Sequence, residues 1–126
     1  MALESSIQSQ ILDYINKLPK GIAENVSGNA QQSGRADINA CIDGITFKIE
    51  VKTEDTAYGR KGVTAKQRLY LEKWARAGAI SCVVYSVEDV KYAIGSAFFR
   101  TPKNLKLSGR GKWYDVQNKR WVDISY

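Results

Sequence analysis

Apolar and polar positions alternate twice between Asp37 and Lys52. Ile38, Ala40 and Ile42 are interleaved with Asp37, Asn39 and Cys41, and Ile45, Phe47, Ile49 and Val51 with Thr46, Lys48, Glu50 and Lys52. Between the runs lies Asp43-Gly44, a pair that tolerates the two positive φ angles of a type I′ turn. A two-residue loop sets the register of a hairpin. Ile42 then faces Ile45, Ala40 faces Phe47 and Ile38 faces Ile49, all on one side. The other side pairs Cys41 with Thr46, Asn39 with Lys48 and Asp37 with Glu50, and Lys52 follows Glu50 on that side.

The remaining pattern predicts elements around this hairpin. Ile7, Ile11, Leu12, Ile15 and Leu18 recur at helical spacing over 4–18, and Pro19 and Gly21 end the helix. Residues 22–26 read as a short strand and 27–34 as a polar loop, either a connector or a loop that orders on binding a partner. Thr64 and Gln67 form a capping box for a helix running to Gly78. Residues 80–85 are a continuous apolar run suited to a central strand buried on both faces. Ser86 caps a last helix, with Asp89 at N3, that runs through Ile94. Beyond Gly95 the composition changes, and Trp113–Val116 with Arg120–Ile124 read as a second hairpin around 117–119. Phe98, Phe99, Trp113 and Trp121 either cover the core or stack on bases.

A chain of 126 residues with 44% hydrophobic content makes one domain with one core. No apolar run is long enough to cross a membrane, and the first residues lack the pattern of a signal peptide. Two cysteines, Cys41 and Cys82, are too few for a disulfide framework, which fits a reduced cytoplasmic compartment. There is no histidine, so imidazole-based zinc sites and Ser-His or Cys-His catalysis are excluded. A metal here would rest on oxygen ligands, which favours Mg²⁺ or Mn²⁺.

The net charge is +6, unevenly placed. Residues 1–99 carry twelve basic and eleven acidic side chains, whereas 100–126 carry seven and two. Arg100, Lys103, Lys106, Arg110 and Lys112 make this last segment a candidate contact for a polyanion. Tyr58 to Gly62, with Arg60 and Lys61, form either a phosphate-contacting loop or a solvated one. Lys66, Arg68, Lys73 and Arg76 give the second helix a basic face.

Opposed residues on a hairpin hold their Cβ atoms roughly 5 Å apart. Two carboxylates at that distance repel by about 3 kcal/mol at an effective dielectric near 20. A divalent cation between Asp37 and Glu50 offsets the repulsion. The competing reading is that one carboxylate splays into solvent and Lys52 forms a surface pair.

The pattern Asp37, a dozen residues, then Glu50-Val51-Lys52 resembles the core of PD-(D/E)XK nucleases. Glu4-Ser-Ser-Ile-Gln, Ser33-Gly-Arg35-Ala-Asp37-Ile, Gln67 and the run Val83 to Val90 narrow the resemblance to the small stand-alone VRR-NUC nucleases often carried by phages. It covers about residues 3–91. Ala36 stands where that family often has proline, a change in turn preference and not in a ligand.

The resemblance implies an α/β, restriction-endonuclease-like core, a mixed sheet flanked by helices in the order α-β-β-β-α-β-α. The C-terminal hairpin follows it. It implies a metal-dependent DNA endonuclease acting on branched DNA such as Holliday junctions, as a homodimer, leaving 5′-phosphate and 3′-hydroxyl ends. Asp37, Glu50 and the Val51 carbonyl would hold Mg²⁺ (or Mn²⁺), and Lys52 would position the attacking water. Gln67 and Glu4 would join the site. For Gln67 the capping role is the alternative, and for Glu4 a favourable contact with the helix macrodipole. Arg35, Arg60, Lys61 and Lys66 would contact DNA with the basic C-terminal set. The alternatives are a non-catalytic DNA-binding module on the same fold, and a nuclease of flap, nicked or RNA substrates.

Overall fold

The computed structural model describes residues 3–26, 36–53, 62–99 and 111–124, excluding the side chains of 96–99. The elements in order are α1 (Glu4–Asn16), β1 (Gly21–Asn25), β2 (Ile38–Ile42), β3 (Ile45–Val51), α2 (Ala65–Arg76), β4 (Ile80–Val84), α3 (Val87–Phe99), β5 (Lys112–Asp115) and β6 (Arg120–Asp123). The strands form one six-stranded sheet in sequential order. Only β3 and β4 are parallel, and α2 lies in the crossover that a parallel pair requires.

The β2–β3 hairpin has the register that the alternation predicts: Ile38 with Ile49, Asn39 with Lys48, Ala40 with Phe47, Cys41 with Thr46 and Ile42 with Ile45. Asp43 and Gly44 take φ of 48° and 84°, as a type I′ turn demands. The capping box is also present. Thr64 Oγ1 accepts the Gln67 N–H at 3.1 Å and Gln67 Oε1 accepts the Thr64 N–H at 3.0 Å.

The sheet separates two layers. On one face Ile38, Ala40, Ile42, Phe47, Ile49, Val51, Cys82 and Val84 pack with Ile7, Ile11 and Ile15 of α1 and with Val90 and Tyr92 to Ile94 of α3. Burying a side chain of this size contributes roughly 1.5–3 kcal/mol, so this layer carries most of the stability. On the other face Ala36 and Val83 pack under Leu71 of α2, with Tyr70, Tyr85 and Trp121 beside them. Ser81 Oγ, buried under α2, donates to the Leu71 carbonyl at 2.6 Å. Ala36 is 1% exposed in this second layer.

One sequence expectation changes. The last helix does not stop at Ile94 but runs through Gly95 to Phe99. A glycine within a helix costs about 1 kcal/mol relative to alanine, and the buried Val90, Tyr92, Ala93 and Ile94 upstream hold the helix in place. The C-terminal hairpin expected from the sequence is present, and its β5 pairs with β4 through Cys82–Trp113 and Val83–Lys112 and completes the sheet. The loop of 27–34 and residues 54–61 lie outside the described residues.

Candidate active site

Asp37 sits at the entrance to β2, where three strands meet. Its carbonyl accepts the Val26 N–H at 2.8 Å. Its Oδ2 accepts the Val51 N–H at 2.9 Å. The side chain is thereby fixed against the end of β3, the strand that carries Glu50.

Glu50 is 1% exposed. Its carboxyl lies within hydrogen-bonding reach of the Asp37 carboxyl, and its Oε2 is buried with no donor beside it. Burial above all, then the hydrogen bond to Asp37 and the charge of Asp37, push the Glu50 carboxyl up to about 10, and Lys52 opposes the shift. Burial and the neighbouring Asp37 carboxyl thus favour the protonated form of Glu50, which eases the carboxylate repulsion expected from the hairpin.

Lys52 follows the last ladder residue of β3. Its N–H donates to the Val84 carbonyl at 2.9 Å, which extends the parallel pairing by one step. The side chain is 2% exposed, and its charge acts on both Glu50 and Glu4. Glu4 belongs to the first turn of α1, in the opposite layer, and accepts the Thr53 N–H beyond the end of β3. Burial raises its pKa and the charge of Asp37 adds to the rise, while Lys52 and the Thr53 hydrogen bond counter it. Glu4, Asp37, Glu50 and Lys52 are thus close enough to sense one another.

The chemistry of these groups suits a divalent cation. Asp37 and Glu50 present adjacent carboxylates, and Glu50 Oε2 is a desolvated acceptor with nothing to accept from. Such an atom costs free energy unless a proton or a cation meets it. All the donors are oxygens, as Mg²⁺ and Mn²⁺ prefer. Among the described residues no group of three or more carboxylate or thiol side chains gathers into a complete metal cage. Glu4 lies close enough to sense Asp37 and Lys52, and waters or a main-chain carbonyl would complete the coordination shell of a cation held by Asp37 and Glu50. With that condition the residues fit.

The same sheet face holds contacts to α2 and β6 that the sequence reading did not assign, though it had already paired Lys48 with Asn39 on this face. Lys48 has the parity of Glu50 and Lys52, which was the available signal for its place. It is 4% exposed, donates to Asn39 Oδ1 at 2.9 Å and lies 3.7 Å from the centroid of the Trp74 ring. On β6, Trp121 Nε1 donates to Glu72 Oε1 on α2 at 2.9 Å, and Arg68 Nε donates to the same oxygen at 3.2 Å. No local pattern announced that link, because it joins elements far apart in the chain.

Of the other candidates, Gln67 uses its amide oxygen in the helix cap. Lys66 is exposed on α2. Lys112 pairs with Asp123 at 2.6 Å. Arg35, Arg60, Lys61, Arg100, Lys103, Lys106 and Arg110 lie outside the described residues. A concavity of about 360 Å³ over Ile22 to Glu24 and Asn39 to Cys41 lies towards the β1 edge. It has one carboxylate and no partner for it, so the chemistry points to the Asp37–Glu50 pair instead.

No protein-family profile matches the chain, and no curated protein matches it. Among solved structures it is similar to Hjc of Archaeoglobus fulgidus, a Holliday junction resolvase from an archaeal hyperthermophile. The similarity covers 94% of this chain and 87% of that one, with 18% identity and a TM-score of 0.52. At this identity the likeness is one of fold. The mixed α/β sheet with flanking helices is a resolvase-like, restriction-endonuclease-type arrangement.

Proposed function

We propose that this protein is a Mg²⁺-dependent endonuclease that hydrolyses phosphodiester bonds in branched DNA. The observation that carries the reading is the buried, partnerless Oε2 of Glu50 beside the Asp37 carboxyl. Binding alone would not require two carboxylates buried together on a face meant for a polyanion. The fold shared with a Holliday junction resolvase supports the choice of branched DNA, as does the basic surplus of residues 100–126. The pattern of Asp37 with Glu50-x-Lys52 supports a PD-(D/E)XK assignment, and the flanking stretches around Glu4, Arg35, Gln67 and Val83 to Val90 support the VRR-NUC one.

In this reading Asp37 and Glu50, with the Val51 carbonyl, would hold the cation. When bound, the cation lowers the pKa of water and stabilises charge on the phosphate. Asp37 is kept in position by its bond to the Val51 amide. Glu50 would have to be ionised to serve as a ligand. Lys52 orients the attacking water and neutralises charge on the non-bridging oxygens. Glu4 accepts a hydrogen bond on the far side of Lys52 and restricts where the ammonium can go. Water attacks phosphorus in line, the bond to the 3′ oxygen breaks, and 5′-phosphate and 3′-hydroxyl ends remain. Two such sites in a C₂ homodimer would cut a four-way junction at related points.

The test uses purified protein with labelled linear, flap and four-way DNA, with Mg²⁺ and with EDTA. Mg²⁺-dependent nicking of the four-way substrate is expected. Binding without cleavage under every condition would leave a DNA-binding module.

A further inference from the structure

The catalytic row of the sheet continues beyond Glu50. Glu50 pairs with Val83, Val83 with Lys112, and Lys112 with Asp123. Over this continuation lies a pocket of about 340 Å³, lined by Val63, Arg68, Val83, Tyr85, Lys112 and Trp121. Adjacent strands are roughly 4.8 Å apart, so Val83 stands one spacing from Glu50 and Lys112 about 10 Å away. Tyr85 follows Val84, whose carbonyl accepts the Lys52 amide. The pocket therefore opens beside the carboxylates, on the same face of the sheet.

We propose that this pocket is a subsite for one unpaired nucleobase next to the scissile phosphate. The inference rests on the nuclease reading for its register but on separate residues for its chemistry. Two aromatic side chains, Tyr85 and Trp121, line the pocket together with Val63, Val83 and the cations Arg68 and Lys112. Base–aromatic contacts contribute about 1–3 kcal/mol per base and tolerate any sequence. The Trp121 indole is held in advance by its bond to Glu72 and by an edge-on contact with Tyr114, ring centroids 5.4 Å apart. Little ordering remains to be done when a base enters. The two cations are already engaged, Arg68 with Glu72 and Lys112 with Asp123. The interior is thus near neutral and suits an uncharged base better than a phosphate. Both cations remain more than half exposed and can turn towards flanking phosphates.

A base in continuous duplex would have to leave its stack to enter, at a cost of a few kcal/mol, whereas an unpaired base escapes most of that cost. The pocket accordingly selects DNA that carries an unpaired nucleotide at the cut, such as a flexible branch point.

The experiment measures binding of the cleavage-silent Asp37→Asn protein, in EDTA, to two DNAs of equal length. One is fully paired and the other has a single unpaired 2-aminopurine. Quenching of the 2-aminopurine on binding is expected, with affinity at least tenfold above that for the paired duplex. Adding Trp121→Ala should bring the ratio towards one and abolish the quenching. Val63→Phe, which fills the pocket from its rim without touching the Trp121–Glu72 bond, should also lower the ratio and decides the matter if Trp121→Ala unfolds. A ratio unchanged in a folded variant of either kind overturns the subsite. Discrimination seen in a protein whose unmutated form cleaves nothing supports the subsite and counts against the nuclease reading. Cleavage by the unmutated protein with no discrimination overturns the subsite alone.

Discussion

The Oδ2 atom of Asp37 accepts the backbone N–H of Val51 at 2.9 Å, so the first carboxylate of the site is positioned by the residue that follows the second. An asparagine at position 37 can keep this bond through its carbonyl oxygen while losing the charge. Asp37→Asn should therefore fold with near wild-type stability and still bind DNA, yet lose Mg²⁺-dependent cleavage. Glu50→Gln should behave alike. Single-turnover assays with labelled junctions check both, and cleavage near the wild-type rate in both would remove the metal site.

The Glu50 carboxyl carries its proton up to about 10 in the folded, metal-free protein, whereas the ordinary value is 4.5. Between those values the folded state binds more protons than the unfolded state, so stability falls as pH rises. The contribution is complete below the ordinary value and is lost as pH climbs through the window towards the folded one. Urea denaturation in EDTA from roughly pH 5 to 9 should show this decline, and Glu50→Gln should flatten it. Mg²⁺ must displace the same proton, so its apparent affinity should rise with pH. Calorimetry in buffers of different ionisation enthalpy should register proton release, and a pH-independent affinity without release would contradict the assignment.

Lys52 is buried beside Glu50 and Glu4, and its charge lowers both of their pKa values. Lys52→Ala should slow the chemical step by about 10²–10⁴-fold, the usual contribution of a group that handles the attacking water. DNA affinity should change far less. A loss under tenfold in single-turnover rate would reduce Lys52 to a structural residue.

Lys48 is held between Asn39 and the Trp74 ring. Lys48→Met keeps the aliphatic stem and removes the charged contact, so it should destabilise the protein by about 1–2 kcal/mol. Because α2 rests on that contact, the loss should be accompanied by faster hydrogen exchange in α2 than in α1. Uniform exchange in the two helices would show that Lys48 does not tie α2 down.

The basic set at the C-terminal end should act on DNA phosphates and not on chemistry. Replacing Arg100, Lys103, Lys106, Arg110 and Lys112 with alanine should flatten the slope of log K against log salt by about two to four units. Binding should weaken alike for every sequence, because phosphate contacts carry no sequence information. An unchanged slope in a folded variant would assign these residues to solubility alone.

Local chemistry determined the β2–β3 hairpin. Asp43-Gly44 admits two positive φ angles, a two-residue loop allows one register, and period-two alternation then assigns every side chain to a face. The Thr64–Gln67 cap was equally legible, because its hydrogen bonds span three residues. Asp37, Glu50 and Lys52 could thus be grouped from the sequence. Other features depend on which elements pack together, and no short window contains that. Glu4 reaches Lys52 and Thr53 only because α1 crosses beneath the exit of β3. The raised pKa of Glu50 follows first from burial and then from the Asp37 carboxyl beside it, and burial is set by tertiary packing. The second hairpin was readable as a hairpin, but its pairing with β4 was not. Strand register is local when a tight turn fixes it, whereas the neighbour a hairpin chooses depends on the total apolar area that choice buries.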